Sequence, residues 1–475
     1  MKTLVLTSKR MNTSARVRRA LVVTLLTVLI QAPQISRAAP TPATSQWGQW
    51  RGPLANGTAP NANPPTEWSE TNHVVWKRAL PGKGHSSPVV WDDRIYVSSA
   101  EPFGEPVDLV YDNAPGTHDN VGVSQKHRFL LIALDRKTGA ILWQRTIKEE
   151  FPHEGGHVTG SLASSSPVTD GQRIYASFGS QGVVSYDREG TLKWRRDFGR
   201  MQTLHAHGEG SSVVLQGKRL LLNWDHEGDS FLAALDTETG KELWKTPRDE
   251  KTSWSTPITV ETSAGRQVVV SATKRIRGYD LETGRLIWEC GGLSRNVVSS
   301  PIAANGMVFA ANSYDWQALI AIRVEGAKGD ITDTDHVAWR LNRLTPYVPS
   351  LLFESDTLYF LRHNQNILSG LDPKTGKPRF EPFRLANLRD IFSSPVSASG
   401  RIYVTSREGI TVVVQTGETP KIIAVNRLDD IFSASAALVG NQLFLRGEQF
   451  LYCLGETGIP AKSTPETSAG TVTSP

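Results

Sequence analysis

The feature that most constrains this 475-residue chain is a pair of short phrases that alternate along it. The first is Ser-Ser-Pro-Val or a worn form, followed by a Gly or Asp turn and an Ile-Tyr-Val type strand. It occurs at Ser86-Ser87-Pro88-Val89, Ser165-Ser166-Pro167-Val168, Ser211-Ser212-Val213-Val214 and Ser255-Thr256-Pro257-Ile258. It returns at Ser299-Ser300-Pro301-Ile302, Pro349-Ser350-Leu351-Leu352, Ser393-Ser394-Pro395-Val396 and Ser433-Ala434-Ser435-Ala436. The second phrase is clearest from Leu235 to Trp244, where an apolar run ends at Asp236, Thr239 and Gly240 follow, and Trp244 closes the unit. This reads as a β-hairpin: Asp bonds its own downstream backbone, and Gly supplies a left-handed conformation that other residues resist. Such hairpins end at Trp143, Trp194, Trp244, Trp288 and Trp339, with weaker forms over Asp372 to Phe380 and Gln415 to Ile422.

Internal periodicity outranks any local assignment. There are eight first phrases and seven hairpins, because the last repeat stops near Leu454 without an outer strand. The short strand carrying Trp76 is the spare. A unit of about 40–45 residues is the length of a four-stranded blade. The count therefore predicts an all-β fold, an eight-bladed β-propeller of four-stranded blades, closed by the N-terminal strand in the last blade. Closure removes the open sheet edge that invites aggregation. The expected boundaries are a signal peptide at 1–38, an irregular lead-in at 39–72, the propeller at 73–454 with an insertion at 100–128, and a disordered Thr/Ser/Pro/Gly tail at 455–475.

Residues 1–38 read as an export signal. Arg16, Arg18 and Arg19 precede an apolar run from Ala20 to Ile30 and a small-residue site near Ser36-Arg37-Ala38. Basic, then apolar, then small is the secretory pattern, and the run is too short to anchor a mature chain. Setting aside the seven basic residues of this segment takes the formal net charge from +5 to −2. The overall basicity belongs to the signal, and nucleic acid is not implied. The expected location is exported, periplasmic or extracellular, with no transmembrane segment in the mature chain and a monomeric state. Cys290 and Cys453 fall in blades 4 and 8, opposite one another in the ring. They are too far apart for the ~5–6 Å Cα separation of a disulfide and are expected to be free.

The alternating Ser-Pro-Val strand and Asp-x-x-Thr-Gly-x-x-x-Trp hairpin resemble the tryptophan-docking repeat of PQQ-like quinoprotein propellers. Trp50-Arg51-Gly52-Pro53 and Trp224-Asp225-His226-Glu227-Gly228-Asp229 are similar to phrases of an exported, uncharacterised branch. The resemblance implies two kinds of activity. In quinoprotein alcohol and sugar dehydrogenases the funnel holds PQQ with Ca²⁺ and a carboxylate base. In the propeller lipoprotein of the outer-membrane assembly machine the same ring is a binding scaffold. This chain lacks the adjacent cysteines of many dehydrogenases, and it also lacks a lipid-attachment cysteine at the cleavage site.

Three groups of residues map to the loops around the funnel mouth. His205, His207 and Glu209 precede blade 3, and Asp225, His226, Glu227 and Asp229 lie in its b–c loop, with His153 and His157 nearby. Imidazoles and carboxylates converging from two loops suit a transition metal. The alternative is that they hydrogen-bond across irregular loops. A second group recurs at b–c positions: Lys274, Arg275, Arg362, Arg407 and Arg446, with Asn223 and Asn312. Pointing inward they favour an anion; otherwise they are solvated turn residues. The third is an aromatic and acidic rim of Trp254, Tyr347, Asp390, Phe392, Asp430 and Phe432, suited to stacking on a sugar, quinone or peptide, or else to packing. The docking tryptophans are expected to face the neighbouring blade rather than a ligand. No nucleophile elbow or phosphate-cradling loop occurs. The expected function is a non-catalytic scaffold that binds an envelope protein or a small anionic or sugar ligand through its funnel face. The alternatives are a PQQ-dependent dehydrogenase and a metal- or sugar-binding module centred on blade 3.

Overall fold

A computed structural model describes residues 43–109, 116–385 and 388–456. The segment 1–38 expected to be an export signal, residues 110–115 of the insertion and the tail beyond Glu456 lie outside these residues.

Among the described residues the chain forms eight antiparallel sheets built as blades, plus one two-stranded ribbon, and its only helical pieces are three short 3₁₀ turns. Blade 1 orders Val89–Trp91, Arg94–Phe103, Lys126–Asp135 and Ile141–Glu150 from axis to rim. Blades 2 to 7 repeat this order over 168–196, 214–248, 258–291, 302–341, 352–384 and 396–427. Blade 8 takes its inner three strands from the C-terminus and its outer strand, Val74–Ala79, from the N-terminus, with Trp76 opposite Cys453 and Ala79 opposite Phe450. The ring closes as the repeat count requires.

The hairpin phrase does what its residues dictate. Asp236 Oδ1 accepts from Thr239 N at 2.8 Å and Thr239 Oγ1 at 2.7 Å, and Gly240 turns at φ 68°. Asp135 with Thr138 and Asp280 with Thr283 repeat the bonds. One residue before each of Trp143, Trp194 and Trp244 the pairing slips by a bulge, which swings the indole inward and leaves Leu142 and Leu243 outside. Five of the docking indoles then donate to a turn carbonyl of the next blade: Trp76 to Arg136, Trp143 to Arg188, Trp194 to Thr237, Trp244 to Leu281 and Trp339 to Pro373, all at 2.9–3.0 Å. The turn glycine lies beneath the ring. A Cβ on Gly240 would sit 2.6 Å from Trp194.

Trp288 corrects the expectation that every docking tryptophan faces its neighbour. It donates to Gln267 Oε1 of its own blade at 2.8 Å and covers Gly278. Blade 5 lacks the Asp-x-x-Thr-Gly turn that would receive it. The longer connection there instead adds Gly329–Asp330 as a fifth, parallel strand beside Leu286–Gly291. Cys290 lies on that outer strand, and both cysteines are buried and free.

From Ala43 the lead-in crosses the face at the strand a–b turns. Trp47 pairs with Val90, Gly48 O accepts from Thr169 N, and Ala59 N donates to Ser397 O. Arg51, 2% exposed, donates to Pro395 O at 2.7 Å and to Leu351 O, tying blade 7 to blade 6.

Candidate functional site

The recurring Ser-Ser phrase builds the waist of the funnel. Its second residue, or in blade 8 the third, Ser435, because that phrase sits one residue later than its sequence suggests, accepts through the hydroxyl the backbone N–H of the same position one blade earlier. The chain runs Ser87 to Ser166, Ser212, Thr256, Ser300, Ser350, Ser394 and Ser435, in seven links of 2.8–3.0 Å. The eighth link is absent, since Ser87 Oγ has no partner at the seam where blade 8 meets blade 1. All eight residues line one axial cavity of about 490 Å³. Trp50, from the lead-in, lines it from the turn face, and the d–a and b–c loops line its mouth. The phrase that sets the fold therefore also paints the wall.

The mouth is aromatic and amide-rich. Trp254, Tyr314, Tyr347, Phe392, Asn296 and Asn364 line it. Trp254 is fixed by its indole N–H on Gly208 O at 2.6 Å. Tyr347 stacks on His363 at 4.9 Å and accepts from Asn296 Nδ2 at 2.6 Å; burial pushes its phenol up to about 12. Two shielded polar atoms at this wall lack partners, Ser87 Oγ and Asn296 Oδ1, while His85 Nε2 faces Glu448 Oε1 at 3.7 Å. Unmatched buried acceptors and donors are costly unless something fills the space between them.

Of the rim group, Asp430 instead caps the b–c turn of blade 8 through Ile431 N, Gln449 N and Phe450 N, and Phe432 is buried in the core. Asp390 carries φ 44° and its carbonyl accepts from Arg407 N.

None of the basic set is among the cavity-lining residues. Arg446 is 2% exposed and reaches sideways to Ser86 Oγ at 2.7 Å and to Ser98 O, and burial with no carboxylate partner pulls its pKa down to about 9. Arg407 lies over the Phe392 ring at 5.4 Å and faces Glu448 at 3.8 Å. Arg275 pairs with Asp249 at 2.9 Å, Lys274 is an exposed turn residue at φ 74°, and Arg362 is half-buried with its N–H on Ile367 O. Asn312 is engaged by Ser294 and Arg295. Repetition at one register placed these residues at one height; it did not orient them.

The carboxylates around blade 3 are engaged too. Asp225 forms a two-point ion pair with Arg248, at 2.7 and 3.1 Å, with both side chains fully buried. Glu227 Oε1 accepts from Thr252 N and Oγ1, and His226 Nδ1 accepts from Gln202 N and Gly228 N. Among the described residues no three His, Cys, Asp or Glu side chains form a ready-made metal position. Glu209 lines the cavity, held by Ser180 N at 2.8 Å and Ser180 Oγ, and burial raises its carboxyl to about 7. Sequence reasoning missed His118, which the blade 1 insertion carries onto His205 and His207, at ring distances of 4.8 and 4.9 Å. An insertion has no counterpart in the other blades, so no register located it.

Eight blades, five of them docked by a tryptophan, around a hydroxyl-walled funnel define a PQQ-like, quinoprotein-type β-propeller. Residues 104–228 and 228–453 match the family of the outer membrane protein assembly factor BamB, and the chain belongs to that family. A tetrathionate hydrolase of Acidithiobacillus ferrooxidans is 21% identical over 278 residues, 53% of this chain and 54% of that protein. The chain thus spans about half the length of that curated relative. BamB of Moraxella catarrhalis has a similar chain path (14% identity, 75% of this chain, 99% of that one, TM-score 0.47). So does the quinohemoprotein alcohol dehydrogenase of Comamonas testosteroni (14% identity, 88% and 82%, TM-score 0.47). At that distance no residue role passes from them to this chain. No helix among the described residues is long and apolar enough to cross a membrane.

Proposed function

We propose that this protein is an exported, non-catalytic binding propeller whose funnel takes a small, uncharged, polyhydroxylated ligand such as a sugar. The observation that carries the reading is the cavity wall: about 490 Å³, with an aromatic mouth, a hydroxyl waist and an indole floor, and neither lysine nor arginine among its lining residues. Aromatic faces cover the apolar side of a sugar ring, while hydroxyls, amides and imidazoles meet its O–H groups. The volume falls in the ~300–1,000 Å³ range of small-molecule sites. Ser87 Oγ and Asn296 Oδ1 are ready partners.

The residues present do not fit PQQ with Ca²⁺. PQQ carries three carboxylates, and neither lysine nor arginine lines the cavity to face them; the one lining carboxylate, Glu209, is engaged by Ser180. Tetrathionate, named for the relative, is a dianion and meets the same objection. The test is calorimetric titration of the mature chain with neutral mono- and disaccharides, and separately with PQQ plus Ca²⁺. The reading requires saturable sugar binding that Trp254→Ala weakens at least tenfold. It is overturned if no sugar binds, or if PQQ with Ca²⁺ binds and supports dye-linked alcohol oxidation.

A further inference from the structure

We infer that the funnel mouth carries a binding site for one late first-row divalent cation, of the Zn²⁺, Ni²⁺ or Cu²⁺ type, at His118, His205 and His207, with His157 as a fourth imidazole. The three rings form a closed triangle with centroid separations of 4.8, 4.9 and 5.3 Å. His157 touches His207 at 4.7 Å. Three imidazoles bound tetrahedrally to one ion stand about 5 Å apart, centroid to centroid, given a metal–nitrogen bond of about 2.0–2.1 Å. The rings thus have the spacing of a liganded set, although their nitrogens do not yet meet at one point.

One further observation points to a ligand. Both ring nitrogens of His205 are shielded from solvent and have no hydrogen-bond partner. His205 and Ala206 are also consecutive non-glycine residues in the left-handed region, at φ 59° and 53°. Such strain persists only where surrounding structure over-determines it. Here Asn120, from the blade 1 insertion, donates through Nδ2 to both carbonyls, at 2.9 and 2.6 Å. The same insertion pairs Asn120 with His157 and brings His118 over the mouth. It therefore assembles all four imidazoles from three separate loops. His207 Nε2 now lies 3.1 Å from His118 O, and His157 Nδ1 2.7 Å from Thr159 Oγ1, so each keeps its other nitrogen for an ion. A set made of imidazole selects late transition metals over Ca²⁺ and Mg²⁺, which take oxygen ligands.

The site is tested on the full mature chain, stripped with chelator and titrated with ZnCl₂ by calorimetry, then with Co²⁺ followed by its visible absorption. The expected result is one ion per chain and a tetrahedral Co²⁺ spectrum. His205→Asn keeps a residue that tolerates the left-handed backbone, and His118→Asn changes an exposed loop; each should weaken binding at least tenfold. His336→Gln, outside the cluster, should leave it unchanged. Melting curves of the metal-free variants close to wild type identify the loss as a loss of ligands. The inference is overturned if no stoichiometric binding occurs, or if folded His118→Asn and His205→Asn chains bind as wild type does.

Discussion

Replacing Asp225 with alanine should destabilise the chain more than any other single change near the site. Asp225 and Arg248 are both fully buried, joined at 2.7 and 3.1 Å. Burial alone would depress the Arg248 pKa, yet the adjoining Asp225 carboxylate carries it above the ordinary guanidinium value. Ser253 Oγ donates to the same carboxylate at 2.8 Å, and Asn223 lies 3.3 Å from both of its oxygens. Asp225→Ala strands a buried guanidinium together with these donors, at a cost of about 3–5 kcal/mol. Removing both charges with an apolar pair, Asp225→Leu with Arg248→Met, should cost clearly less than the single change, because the stranded charge disappears and only the lost partners of Ser253, Asn223 and Tyr279 remain. Equilibrium urea unfolding measures both variants. Equal losses in the single and double variants would refute the reasoning, as would a single variant within ~0.5 kcal/mol of wild type.

Other consequences follow from the same geometry. Ser300→Ala removes the acceptor for the buried Thr256 N–H and should cost about 1–3 kcal/mol in the same assay, whereas Ser87→Ala, whose hydroxyl accepts nothing, should be close to neutral. Gly240→Ala places a Cβ 2.6 Å from the Trp194 ring on a left-handed backbone, and should destabilise by more than the ~1 kcal/mol of strain alone. Arg277 and Arg275 hold the Asp249 carboxyl well below its usual range. That stabilisation is present above the unfolded pKa of 3.8 and is lost as pH falls below it, so Asp249→Asn should flatten the melting-temperature profile on the acid side. The carboxylate is largely exposed, so the effect should shrink with added salt.

The fold was legible because its signals are local and repeated. Asp236, Thr239, Gly240 and Trp244 each act within a hairpin, and counting such hairpins fixes the ring and its closure by the strand of Trp76. Trp288 escaped because its orientation depends on a turn one blade away that its own phrase does not encode. The site was legible only in part. Trp254 and Tyr347 were placed at the mouth by repeat register, and both line the cavity. Arg446 and Arg407 were placed at the same mouth by the b–c register but turn toward Ser86 and Glu448, because side-chain direction is set by partners across the blade seam. Trp50 and His118 come from the lead-in and an insertion, where periodicity is silent.

The central claim is that the funnel holds an uncharged, hydroxyl-rich ligand between an aromatic mouth and the hydroxyl ring. Crystals soaked in a neutral monosaccharide test it most directly. The account expects sugar density in the axial cavity, a ring face on Trp254 or Tyr347, and hydrogen bonds to Asn296 and Ser87. Sugar bound only on the outer blades, or a cavity holding water alone at saturating sugar, would contradict it.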